Sequence, residues 1–380
     1  MRRLLVAAAV FLPVVSFAQA PTGPEFQITS AANSSLSPPA VASDASGSVV
    51  VVWESAGRDG SDYGVAGRRF DASGAARGAE FQVNSFTSGR QSRPSVASGA
   101  AGNFVVVWSS ADQDGSGDGV FGRRFDGGGV AAGPDFPVNS STAGNQDRPA
   151  AASDPGGNVL VAWESDDGSG TGVFGQVFDP GGNKIGAEFK VSTTNSGNQE
   201  RAAVAADSAG HFIVVWQSDD GSGTGIFGQV LSTGGEKVGS EFRANKTTAD
   251  AQDLPSVAAD PAGNFVVVWQ SAGQDGSGLG VYGQRFDASG VSVGSEFRAN
   301  TTTDGDQRDP GLAAKDSGFE VVWASPGLGV FGQLYDPGGA PLGSEFKINA
   351  VGDGATPRAA AGAGGFVVVW QSGASVTGRK

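Results

Sequence analysis

The chain has no cysteine, one histidine and one methionine in 380 residues. Zero cysteine excludes disulfides, thiol nucleophiles and cysteine metal centres. One histidine, His211, leaves no histidine cluster for a metal and no obvious triad base. Charged residues are sparse at 17 %. Cations are the scarcer sign, with 25 Lys and Arg against 39 Asp and Glu. That deficit argues against nucleic acid and anionic membrane surfaces, because the phosphate term would be repulsive. Past residue 20 no apolar run nears the roughly 18 residues a membrane helix needs.

What is present begins with a leader. Arg2 and Arg3 precede an apolar stretch from Leu4 to Phe17, and Ala18-Gln19-Ala20 is a small-residue cleavage site. This reads as a secretory signal peptide cut near Ala20, so the expectation is a soluble exported chain, periplasmic or extracellular. No cysteine follows the cut, which argues against a lipid anchor. Without Arg2 and Arg3 the balance is 23 basic to 39 acidic residues, a net charge of −16.

The strongest signal is periodic. Trp53, Trp108, Trp163, Trp216, Trp269, Trp323 and Trp370 lie 55, 55, 53, 53, 54 and 47 residues apart. A period near 54 means repeated supersecondary units. In the fifth copy Pro255–Asp260 reads as a short strand of small residues. Phe265–Ser271 follows as a strand whose unbroken apolar start suits burial on both faces. Val281–Asp287 alternates, with Tyr282, Gln284 and Phe286 on one face. Glu296–Asn300 is the fourth strand. Four-stranded units of roughly 40 to 55 residues are propeller blades. The fold class expected is all-β, a seven-bladed β-propeller spanning residues 21–380 as one domain. The seventh copy lacks a fourth strand, whereas Pro24-Glu-Phe-Gln-Ile-Thr29 resembles Ala79-Glu-Phe-Gln-Val-Asn84 with no blade before it. The N-terminal strand should complete the last blade and close the ring, removing open edges.

Short hairpin turns such as Asp154-Pro-Gly-Gly157 occupy one end of each blade, and long polar loops the other. Long loops on a rigid scaffold are where ligands normally bind. Two motifs recur there. Asp112-Gln-Asp114-Gly-Ser116-Gly-Asp118 has oxygen ligands at alternating positions, as Ca²⁺ requires, or is simply a solvated Asp-Gly turn. Gln91, Gln146, Gln199, Gln252 and Gln307 recur in the blade-to-blade loops. They are candidates to meet ligand hydroxyls, or else to satisfy loop backbone groups. The tryptophans end apolar strands, which points to packing between blades over stacking on sugars. His211 stands where other copies have Asn103, Asn158 or Asn264, a turn position. The Ser-x-Asp-x-Gly-x-x-Trp box of sialidase propellers is absent.

The run Gly263-Asn-Phe-Val-Val-Val-Trp-Gln-Ser-Ala-Gly-Gln-Asp-Gly-Ser-Gly278, with Val281–Asp287 and Gly294-Ser-Glu-Phe-Arg-Ala-Asn300, resembles a repeat of large secreted and surface proteins of bacteria. Those include adhesin-like and repeat-toxin-type proteins. The resemblance implies an extracellular or cell-envelope propeller and brings no catalytic residues with it. Residues Asp112–Asp118 are also loosely similar to the calcium loops of integrin-head and fungal-lectin propellers. The function expected is a monomeric, non-enzymatic binding module. Its ligand, carbohydrate first and calcium-assisted in one version, would sit on the long-loop rim. A protein-interaction scaffold of the envelope is the alternative, and a glycan hydrolase the third.

Overall fold

The computed structural model describes residues 21–30, 38–99, 101–194 and 197–380. The signal peptide expected over residues 1–20 lies outside them. Among the described residues no helix is long and apolar enough to cross a membrane.

Seven four-stranded antiparallel sheets form a ring. In blade 5 the strands are Gln252–Ala259, Phe265–Ala272, Leu279–Phe286 and Ser292–Arg298. The last blade joins Ala355–Gly362, Gly365–Ser372 and Ser375–Arg379 to Phe26–Gln27, so the chain's first strand completes its last sheet. The register sets Phe26 opposite Gly378 and Gln27 opposite Thr377. Hydrophobic contact closes the same seam, where Ile28, Val49, Val51 and Trp53 pack with Val367, Val369 and Val376.

The unbroken apolar second strands are explained by their two buried faces. Phe265, Val267 and Trp269 pack toward blade 4, while Val266 and Val268 pack toward blade 6. All seven tryptophans are at most 2 % exposed. They are the packing between blades, as their place at the end of apolar strands suggested. Each third strand carries a glycine beneath an aromatic ring of the fourth. A Cβ at Gly283 would lie 2.7 Å from the Phe297 ring, so only glycine fits.

The recurrent Glu-Phe of the fourth strand also has a physical account. Its acid accepts backbone N–H bonds from the residues that leave the preceding blade. Asp135 accepts from Ser85 at 2.8 Å, Glu241 from Thr193 at 2.8 Å, Glu296 from Lys246 at 2.7 Å and Glu345 from Thr301 at 2.6 Å. Glu25 accepts from Ala350 across the closing seam. The latch therefore runs round the ring, charge-assisted at each joint.

Two blade types differ at the outer edge. Blades 3 to 6 have seven-residue fourth strands, and a buried glutamine (Gln176, Gln229, Gln284 or Gln333) donates to carbonyls around the bulge there. In the other blades the outer strand is two residues long and an arginine takes that position. Arg68, Arg123 and Arg379 then reach the Ile28, Val83 and Ile348 carbonyls. A longer donor compensates for the shorter strand.

Candidate functional site

The first strands line the central channel, and the long loops surround one of its mouths. Each first strand begins earlier than its apolar residues suggest. The strand expected from Pro255 starts at Gln252, and a bulge separates the pairs Asp253–Gln270 and Ser256–Val268. This shift moves the rim glutamines inward. Gln91, Gln146, Gln199, Gln252 and Gln307 are at most 1 % exposed. The Gln91, Gln146, Gln252 and Gln307 carbonyl oxygens accept from Asn84, Asn139, Asn245 and Asn300 at 3.0, 3.0, 2.8 and 2.9 Å. Their amide nitrogens donate to loop carbonyls, as Gln307 does to Asp304 at 3.1 Å. In blade 3 Ser192 replaces the asparagine and donates to Gln199 at 3.4 Å. An amide with no exposed surface and both ends engaged has nothing left for a ligand. These five glutamines fasten the loops rather than contact what lies above them.

The Asp-Gly-Ser loops join the same lock. Asp59, Asp114 and Asp275 accept from Asn84, Asn139 and Asn300 at 2.9, 3.3 and 3.1 Å. Asp114 also accepts from the Ser116 N–H at 3.2 Å, and Ser116 Oγ accepts from Gly144 at 3.3 Å. The Asp118 N–H donates to Asn145 at 3.1 Å. Burial, with Asp147 nearby, raises the Asp118 carboxyl above the usual range. Among the described residues no group of three or more His, Cys, Asp or Glu side chains converges to hold a metal. The arrangement of Asp112, Asp114, Ser116 and Asp118 fits turn and lock chemistry.

The bulges bring a different set of residues to the mouth. Arg93, Arg148, Arg201, Leu254, Asp309 and Thr356 occupy equivalent positions with φ of 52, 51, 55, 52, 57 and 48°. Left-handed backbone is unfavourable for such residues, and proline follows all but Arg201. At four of the six positions the side chain that follows the tryptophan of the preceding blade accepts the exposed N–H. Arg148 donates to Ser109 at 3.2 Å, Arg201 to Glu164 at 2.7 Å, Leu254 to Gln217 at 3.1 Å and Asp309 to Gln270 at 3.1 Å. Strained positions of this kind are held by the surrounding fold and cluster at functional sites.

The result is a recess of about 500 Å³ in the channel mouth. Arg90, Arg93, Arg148, Arg201 and Arg358 line it, and Asp309 is the single acid in a wall otherwise made of Pro, Ala, Ser, Val and Leu. Behind the wall, Glu54 accepts from Arg90 at 2.7 Å and Asp147 holds Arg93. Burial works to raise Asp147, but the Ser109 hydroxyl and the Arg93 guanidinium bring it below the usual carboxylate range. Glu164 lies 3.6 Å from Arg148, and burial pushes its carboxyl up to about 7. Arg201 is exposed, and its guanidinium has no ion pair among the described residues. Burial lowers the Arg358 guanidinium from its usual value while Asp309 opposes this, and one of its nitrogens donates to the Pro357 carbonyl at 2.8 Å. No aromatic stands among the exposed large apolar residues, and Tyr63 and Phe86 near the long loops are half-buried.

Comparison with known proteins agrees on the fold. No family model matches the chain, and no curated protein matches it by sequence. Among solved structures, a polysaccharide lyase named Uly1 superposes with a TM-score of 0.54 at 10 % identity, covering 89 % of each chain. The β-propeller domain of the Trilobed protease from Pyrococcus furiosus superposes with a TM-score of 0.52 at 9 % identity, covering 93 % of this chain and 95 % of that one. The fucose-specific lectin of Aleuria aurantia aligns at 13 % identity with a TM-score of 0.47, covering 83 % of this chain and 97 % of that one. At such identities the likeness is one of fold.

His211 sits at the opposite end of the channel, where its Nδ1 is 2.9 Å from Asp207. Asn158 and Asn264 make the same bond to Asp154 and Asp260 at 2.7 and 3.0 Å. The lone histidine thus does an asparagine's work in a turn.

Proposed function

We propose that this protein is an exported, non-enzymatic binding module that takes a carbohydrate into the long-loop mouth of its channel. The observation that supports this most is the recess itself. It is concave, within the 300 to 1,000 Å³ typical of ligand pockets. Its wall includes strained positions, four of them capped by a side chain of the preceding blade. Buried Asn–Gln locks hold the loops above it still, so little ordering remains to be done on binding. Carbohydrate is named by the lyase and lectin among the structures of this fold, and enters here as a proposal. Export rests on the leader, and the resemblance to adhesin-like and repeat-toxin-type repeats supports a place at the cell envelope.

An envelope scaffold that binds protein is favoured by one observation, the absence of exposed aromatics. The test is glycan-array binding of residues 21–380, with calcium and again with chelator. Binding to any glycan supports the proposal, and its loss on chelation would bring the Asp112–Asp118 loop back as a calcium site. A blank array in both conditions overturns the carbohydrate reading in favour of the scaffold.

A further inference from the structure

We infer that the ligand of this mouth is anionic, a carbohydrate bearing carboxylate or sulfate groups, held by Arg148, Arg201 and Arg358. The inference rests on the carbohydrate reading above and adds its charge.

Three observations carry it. The first is selective placement. This chain has fewer cations than anions, 25 against 39, yet five arginines and no lysine line one recess. Guanidinium presents a planar fork that matches carboxylate and sulfate oxygens in pairs, which an ammonium cannot do. The second is geometry. Arg93, Arg148 and Arg201 sit at the same bulge position of three consecutive blades, 2, 3 and 4. In a ring of seven, blade 7 stands opposite blades 3 and 4, and it contributes Arg358. An anion in the mouth is therefore met from both sides. The third is availability. Arg90 and Arg93 have carboxylate partners in Glu54 and Asp147. Arg201 has none among the described residues, and Arg148 only the 3.6 Å approach of Glu164. Arg358 hydrogen-bonds a carbonyl, and the nearby Asp309 acts on its charge without a salt bridge among the described residues. Cations brought together in a partly desolvated recess repel one another. A bound anion relieves that repulsion, and Asp309 is the single competing acid in a wall otherwise made of Pro, Ala, Ser, Val and Leu.

The walls also argue against neutral sugars as the preferred ligand. A neutral pyranose gains most from stacking on an aromatic face, and no aromatic lines the recess. Charge is the recognition element that remains.

The experiment is calorimetric titration of the full mature chain with tri-galacturonate, its fully methyl-esterified form, a sulfated oligosaccharide of similar length, and a single-stranded DNA oligonucleotide. The variants are R148Q, R201Q and R358Q, with R77Q as control. Arg77 is exposed and lies at the other end of the molecule. We expect the acid or the sulfated chain to bind and the ester to bind at least tenfold more weakly. Each of the three mouth variants should lower affinity about tenfold, the worth of one charge-assisted contact, while R77Q changes nothing. Affinity should fall as salt rises. Equal binding of ester and acid, or indifference to the mouth variants, overturns the inference and leaves the carbohydrate reading standing. DNA binding as tight as that of the sugar acid overturns the inference that the ligand is a glycan. Binding of none of these, alongside a blank glycan array, overturns both readings.

Discussion

The two mouths of one channel treat charge in opposite ways. At the long-loop end, arginines face a recess of about 500 Å³ and several lack a full partner. At the short-turn end, a wider opening of about 640 Å³ is lined by Asp44, Asp154, Asp207, Asp260 and Asp316. Four of these carboxylates are already spent. Asp44 accepts from the Ser46 and Ser48 N–H groups at 2.9 Å each. Asp154, Asp207 and Asp260 accept from Asn158, His211 and Asn264 at 2.8, 2.8 and 2.9 Å. A charge that caps its own turn is structural, and one held out over a cavity by a strained backbone is free to act. Recurrence alone does not separate the two, because both are repeated round the ring.

The largest effect expected comes from an acid that breaks the pattern. Glu320, near the short-turn end of blade 6, is 5 % exposed. Burial pushes its carboxyl up to about 8, with Lys315 opposing. Its position is apolar in other blades, as Val266 shows. A carboxyl raised from 4.5 in the unfolded chain to about 8 in the fold is harmless below pH 4.5. It then costs stability progressively until pH 8. At pH 7 Glu320→Val should therefore stabilise by about 3 kcal/mol, at about 1.4 kcal/mol for each unit. The gain should vanish at pH 4. Urea unfolding at the two pH values checks this, and an equal gain at both would refute it.

The long-loop end should be the more costly to break. The Asn300 side chain accepts from Val281 at 2.8 Å and donates to Thr302 at 2.8 Å and Gln307 at 2.9 Å, the first and last buried and the Thr302 bond partly so. Asn300→Ala leaves those three groups without a partner and should cost about 2 to 3 kcal/mol. The same unfolding titration reads it. A cost below about 0.5 kcal/mol would mean that water replaces the amide, since surface-like sites fall in that range.

A third contrast lies in the sign of pH dependence. Glu164, behind the arginines, is raised by burial to about 7, so stability falls from pH 4.5 toward pH 7 as the unfolded chain ionises first. Asp179 and Asp287, in turns at the opposite end, are lowered by side-chain and backbone hydrogen bonds from Asn183 and from Ser289 and Val291. Their contribution is present above about pH 3.8 and is lost as pH falls through the folded values. Glu164→Gln keeps an acceptor for the Arg201 N–H and should flatten the slope between pH 5 and 7 by about 2 kcal/mol. An unchanged slope in a stability–pH profile would place Glu164 in water.

Much of the ring could be read from the chain alone, because the information is local and repeated. Tryptophan spacing gives the blade count, and the unpaired Phe26 strand gives the closure. The arginine arc was not legible, although its signal is present. Gln91-Ser-Arg93-Pro94, Gln146-Asp-Arg148-Pro149 and Gln199-Glu-Arg201 share one pattern, and the arginine stands two residues after the glutamine that drew attention. Extended backbone is the normal state before proline, so the left-handed bulge that turns these side chains into the channel is not expected from sequence. It depends on a cap from the neighbouring blade. Arg358 belongs to the copy that has lost the glutamine, and only ring closure sets it opposite the others. The burial of the glutamines is hidden in the sequence for a related reason. A polar residue ahead of an alanine-rich strand looks like loop, whereas the bulge adds those residues to the strand and buries them.

The smallest effect tests the short-turn end directly. Asp260 accepts from the Asn264 N–H at 2.9 Å and from its side chain at 3.0 Å, both in an exposed turn. Water can replace a carboxylate there, so Asp260→Ala should cost only about 1 kcal/mol, as for loss of a surface cap. Asp260 lines the short-turn opening and not the arginine recess. Its removal should leave tri-galacturonate affinity within the error of the titration, whereas Arg201→Gln should leave stability unchanged and lower affinity. That crossed pattern, stability without binding at one mouth and binding without stability at the other, is what the division of labour requires. If Asp260→Ala weakened binding as much as Arg201→Gln, the two mouths would have to act as one continuous site.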